Sequence, residues 1–231
     1  RLQAIAGILL SALILPVFVS VHSVVSWDFA MSISVEGWHS TIFAPYFVIG
    51  AIHSGVSAVD TILCLMAWLW KWQDYIRPEH LDALARLLIV VATAWFFFFA
   101  LEFMFGLVAQ EPAEIALRET QVFSNPWGWM FLVFLLAGYF IPVSLWMFRR
   151  VRRSISLMFW TTILVNVGMW LERYLIVVPG LMRKQGFSFV WGQYSPSPIE
   201  LIIISATFAY VLGGMLLFSK LVPLIPIHDA K

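Results

Sequence analysis

Charge is what this sequence has least of. Only 12% of its 231 residues are Asp, Glu, Lys or Arg, 61% are hydrophobic, and the mean hydropathy is +0.89. A soluble domain carries about 25% charged residues, so the shortage excludes a water-soluble globule and identifies an integral membrane protein. The net charge of +1 supplies no electrostatic footprint for nucleic acid, which is gripped through its phosphates. Cysteine is scarcer still. Cys64 stands alone, so the chain by itself cannot build a disulfide framework, a zinc finger or a cysteine-ligated iron–sulfur cluster. Histidine is missing where haem would need it: His22 and His53 lie in or at the edge of apolar runs, whereas His39, His80 and His228 fall in links or in the tail. Paired His ligation of stacked b haems is therefore disfavoured, and no metal ligand set is assigned to the chain. No phosphate loop and no nucleophile triad is visible, and the repeats expected of a secondary transporter are not evident.

What is present is length in the apolar runs. Crossing a bilayer takes roughly 20 apolar residues, and six runs qualify, near 4–26, 42–70, 87–109, 128–148, 154–178 and 199–222. The expectation is an all-α polytopic transmembrane bundle forming one domain over 1–231, with no room for a soluble domain. The sequence opens on Arg1 almost directly into the first span, so the chain is expected to be part of a longer subunit. Basic residues in short links set orientation. Lys71, Arg77 and Arg86, the Arg149 to Arg153 cluster, and Lys220 with Lys231 mark one side as cytoplasmic. The links at 27–41, 110–127 and 179–198 contain only Arg118, Arg183 and Lys184 and are expected to face outward. Both ends of the chain then lie inside.

Orientation converts sequence position into depth. His22 and Asp28 fall at the outer end of the first span, Glu102 in the outer third of the third, and Asn166, Glu172 and Arg173 in the outer half of the fifth. An arginine inside a span needs a partner, and Asp28, Glu102 and Glu172 are the carboxylates at its depth. Two readings stay open: a structural ion pair holding the bundle together, or a polar pocket for a small amphipathic ligand such as a quinol. Quinol oxidation needs a group that takes a hydroxyl proton, which His22 or Asp28 can supply, and aromatic walls, for which Trp27, Phe29, Trp38 and Phe103 are candidates. In the second span His53, Ser57, Asp60, Thr61 and Cys64 form one helical stripe. It reads either as a small-residue helix interface with Gly50, Ser54 and Gly55 or as part of a proton path through His53 and Asp60. Glu111, Glu114 and Glu119 are expected on a short interfacial helix as a solvated face.

Four strings carry a resemblance: Ser20 to Ala30 (SVHSVVSWDFA), Gly37 to Phe47 (GWHSTIFAPYF), Trp170 to Val178 (WLERYLIVV) and Trp191 to Pro198 (WGQYSPSP). Together they resemble the NrfD-like family, the membrane subunits of polysulfide reductase. Within it the chain is most similar to the ActC subunit, or its sister ActF, of bacterial alternative complex III. The resemblance implies the C-terminal part of a longer subunit in the bacterial inner membrane, working in a respiratory or photosynthetic chain. It implies oxidation of menaquinol or ubiquinol near the periplasmic side. Electrons would pass to a periplasmic iron–sulfur subunit and on to c-type cytochrome subunits, beside a homologous NrfD-like membrane subunit, with proton translocation as an option. No haem or cluster would sit in this chain. Carried over by motif, Asp28 and Arg173 line the quinol pocket with Trp27, His22, Glu172 and Glu102 beside them, and further family residues from an earlier bundle are absent here. A sister subunit that conducts protons or only holds the bundle, binding no quinone, is the alternative, and a secondary transporter a more distant one.

Overall fold

A computed structural model describes residues 2–33, 35, 37–72, 75–182 and 194–221. Arg183, Lys184, His228, Lys231 and the start of the Trp191 string lie outside the described residues. In chain order the helices are α1 (Leu2–Trp27), continued by a π-helical turn Asp28–Ile33, α2 (Phe43–Leu69), α3 (Pro78–Val108), α4 (Pro112–Phe123), α5 (Trp127–Leu135), a π segment Leu136–Phe140, α6 (Ile141–Trp146), α7 (Arg149–Arg152), α8 (Ile155–Met182) and α9 (Pro198–Leu221). No strand occurs among the described residues. Six helical stretches there are long and apolar enough to cross a membrane: Ile5–Ile33, Phe43–Leu69, Pro78–Val108, Trp127–Trp146, Ile155–Met182 and Pro198–Leu221. The protein is an all-α, multi-pass membrane protein.

The helix ends have local causes. Lys71 and Gln110 take positive φ of 55° and 58° just past α2 and α3, the left-handed conformation that ends a helix. Pro78 and Pro112 then start α3 and α4 at first-turn positions, where a missing N–H sacrifices no helical bond. Pro45 is harmless in the first turn of α2 for the same reason. In the fourth span Pro142 has no N–H to offer the Gly138 carbonyl one turn back, and that carbonyl instead accepts a bond from His53 Nε2 at 3.1 Å. The π segment thus coincides with a tertiary contact.

The chain divides into two units, Arg1–Ser188 and Phe189–Lys231. In the first, α8 packs on α2, α5 and the π segment, and α2 packs on α1 and α3. Trp95, Trp146, Phe134, Leu88 and Met158 are fully buried at its centre, while Ile8, Leu13, Val90, Trp129 and Trp160 point outward, as lipid contact requires. A close approach joins Gly138 and Gly168, where a Cβ on Gly168 would collide with the Gly138 backbone. At the Arg152 end of the bundle, Arg152 Nε meets Asp82 Oδ1 at 2.7 Å and its Nη1 caps the carbonyls of Trp146 (2.7 Å) and Met147 (3.1 Å). In the second unit, α9 opens on a reciprocal cap. The Ser197 N–H donates to Glu200 Oε2 at 2.6 Å and the Glu200 N–H to Ser197 Oγ at 3.3 Å, the pairing of a capping box.

Candidate functional site

Glu172 turns the polar face of α8 into the bundle and is 2% exposed. An ionised carboxylate there is costly unless it is hydrogen-bonded and paired. Its Oε1 accepts from the Tyr46 hydroxyl and from Trp95 Nε1 at 2.9 Å, while Oε2 faces Arg173 Nη1 at 3.5 Å. The Arg173 guanidinium lies 4.1 Å over the Phe47 ring, a cation–π seat. It passes Gly50 so closely that any Cβ there would strike Nη2. Glycine at position 50 is what lets the arginine lie against α2.

A second polar group closes the same end of the bundle. Glu102 of α3, 4% exposed, accepts from Ser40 Oγ and stands 3.8 Å from Arg118 Nη2 of α4. Arg118 also pairs with Glu114 at 3.1 Å and lies 5.3 Å over the Phe103 ring. Gly106, about one turn beyond Glu102, leaves room for this pair, since a Cβ there would come within 2.7 Å of Glu114 Oε1. Gln121 Nε2 anchors α4 to the Leu175 carbonyl at 2.9 Å. Between the two groups lies a cavity of about 20 Å³ lined by Tyr46, Glu172, Glu102, Arg118, Gln121 and Phe99 among others. That volume suits one water molecule with several polar partners, not a quinone ring.

From this cavity one stripe of α2 runs through the bundle. Tyr46, His53, Ser57, Asp60 and Cys64 are all buried. His53 stacks on Trp95 with centroids 5.8 Å apart, and its Nδ1 has no hydrogen-bond partner among the described residues. Ser57 donates to Asn166 Oδ1 at 3.1 Å, and Thr61 donates to Thr162 Oγ1 at 2.8 Å. Among the described residues Asp60 receives only a long contact from Cys64 Sγ at 3.8 Å, and its Oδ2 is buried with no partner there. An intramembrane carboxylate without a cation beside it is rare.

The structure brings Glu102, Glu172 and Arg173 to one end and continues them into His53 and Asp60. His22 and Asp28 stand apart. Asp28 is exposed on the π turn and makes no ion pair among the described residues, and Arg173 pairs with Glu172 rather than with it. His22 is half-buried, its Nδ1 3.0 Å from the Phe18 carbonyl oxygen. Trp27 alone reaches across, donating from Nε1 to the Thr41 carbonyl at 3.4 Å, next to the Ser40 that serves Glu102. The glutamate face expected to be solvated is partly buried, because Glu114 is 4% exposed and tied to Arg118. Tyr46, Trp95, Arg118 and Gln121 were not marked by sequence. The 114, 117, 118 and 121 spacing puts those four residues on one helical face, a signal that was readable. For Tyr46 and Trp95 no local pattern separates a carboxylate donor from a core aromatic.

No curated protein matches this chain. The family model described as "Polysulphide reductase, NrfD" matches residues 2–184. Members of that family are membrane subunits of quinol and electron-transfer oxidoreductases and usually pair with iron–sulfur subunits. With the match spanning the whole helical core around Glu172 and Glu102, the chain belongs to the NrfD family.

Proposed function

We propose that this chain is the quinol-oxidising membrane subunit of an alternative complex III-type assembly in the bacterial inner membrane, close in kind to ActC. The observation that carries the reading is the pair of buried carboxylates, Glu102 and Glu172, facing one water-sized cavity at the end of a polar stripe that runs to His53 and Asp60. Packing alone does not call for such a line through an apolar span. The cavity is too small for a quinone ring, so the head group of menaquinol or ubiquinol belongs at the rim, against Trp27, the half-buried His22 and the exposed Asp28. Asp28 or His22 takes the first proton. Through Thr41 and Ser40 the rim adjoins Glu102, and Glu102 and Glu172 line the same water-sized cavity. Arg173 holds Glu172 in place and Arg118 holds Glu102.

The electrons leave through a periplasmic iron–sulfur subunit and c-type cytochrome subunits, with a homologous NrfD-like membrane subunit alongside. This chain supplies quinol binding and proton acceptance, not the electron carriers. The positive charge of the 71–86 and 149–153 links supports placing that side and both ends in the cytoplasm, which puts the His22–Asp28 rim on the periplasmic side. Asp28→Asn and Glu172→Gln in the intact native complex are the direct test, with quinol:acceptor turnover as the readout. Turnover should fall by roughly 10²-fold or more in each, the lower range for removing a proton-transfer group. Near wild-type turnover in both would leave the second reading, a sister subunit that binds no quinone. That reading draws support from the small volume of the cavity and from the partners already held by Glu172.

A further inference from the structure

We propose that His39, Glu111 and Glu114 form a binding site for one divalent transition cation of the zinc class, where the 37–42 link meets the start of α4. The three side chains each offer one donor atom, and these lie within 4.8 Å of one another. His39 Nε2 is 3.6 Å from Glu111 Oε2 and 3.5 Å from Glu114 Oε2. Neither separation is a hydrogen bond, since a charge-assisted N–H···O contact closes to about 2.8 Å. Both match the edge between two ligands of a tetrahedral cation, which is about 3.4 Å when the bonds are about 2.0–2.1 Å long.

Charge supplies a second, independent argument. Around this point, among the described residues, stand Glu102, Glu111 and Glu114 with Arg118 as the cation in contact, an excess of two negative charges when His39 is neutral, as a metal-binding imidazole is. Glu102 and Glu114 are each 4% exposed, where water screens little and uncompensated charge is costly. A divalent cation cancels that excess. Arg118 takes the other oxygen of Glu114 at 3.1 Å, leaving Oε2 turned toward His39, which is how a neighbouring group orients a metal-binding carboxylate. One imidazole and two carboxylates leave a coordination position open, and the site is reachable because the Glu111 and His39 side chains are 57% and 28% exposed. The ion would staple to α4 the link that carries Ser40, the donor to Glu102, and it does not depend on the redox reading.

The test is cation titration of the protein purified in detergent with its native partner subunits, after chelator treatment, using Zn²⁺ by competition and Co²⁺ by visible absorption. Wild type should gain a tetrahedral Co²⁺ band at one equivalent per chain. Glu111→Gln and His39→Ala should each abolish the band and weaken Zn²⁺ binding by at least about tenfold, the lower range even for groups that only orient ligands. Glu111 is mostly exposed, so its variant keeps the fold. Glu119→Gln, on the exposed side of the same helix, should bind as wild type does. Absence of the band in wild type, or unchanged Zn²⁺ affinity in both ligand variants, overturns the site.

Discussion

Arg173 shows how one missing methyl group can position a charge. A guanidinium in an apolar span needs a carboxylate, an aromatic face and room, and it finds Glu172, Phe47 and the bare Cα of Gly50. Gly50→Ala should displace the guanidinium from that seat, so its effect on stability should couple to that of Arg173→Ala. In a double-mutant cycle read by thermal unfolding in detergent, the coupling energy should be at least about 0.5 kcal/mol. Additive effects would mean that Arg173 does not depend on glycine at position 50. Glu172 and Arg173 could be singled out from the sequence because charge in an apolar run is rare. Tyr46 and Trp95 could not, because an aromatic side chain in such a run looks the same whether or not its polar atom has a carboxylate to meet.

Among the elements, the α3–α7 junction is held by charge and the α8–π segment contact by shape. Arg152 and Arg86 both reach Asp82, yet the Arg152 side chain is 14% exposed and that of Arg86 65%. Arg152→Ala leaves Asp82 with Arg86 alone and uncaps two carbonyls, and should cost clearly more stability than Arg86→Ala. Arg86→Ala removes a largely solvated pair and should lose less than about 1 kcal/mol. Equal losses in equilibrium unfolding would show that burial does not govern this junction. At Gly168 the obstacle is backbone: a Cβ would lie 2.7 Å from the Gly138 Cα. Gly168→Ala should lower stability by about 1–3 kcal/mol, whereas Gly55→Ala, with open space around it, should leave it level or slightly raised. A Gly168→Ala midpoint equal to wild type would deny the close approach.

For the whole molecule the decisive property is which links share a side. The alternation of basic and non-basic links places Arg150 opposite Gln110. Cys64 is fully buried and leaves a low labelling background, so single cysteines can report the topology. Gln110→Cys should react with a membrane-impermeant maleimide added outside right-side-out vesicles. Arg150→Cys should react only after permeabilisation, and the reverse pattern would invert the proposed orientation and remove the quinol rim from the periplasmic side.

The sequence by itself determined that this is a multi-pass helical membrane protein, because six long apolar runs in a charge-poor chain have no other way to satisfy their backbone groups in lipid. It also marked Glu102, Glu172, Arg173, His53 and Asp60, since ionisable groups stand out against such a background. Only the tertiary structure decided the pairings. Helical periodicity says which residues share a face of one helix but not which face of another helix meets it, and side-chain packing between helices settles that. Hence Arg173 joins Glu172 and not Asp28, Glu114 is buried on Arg118, and Pro142 and His53, far apart in sequence, meet at one carbonyl.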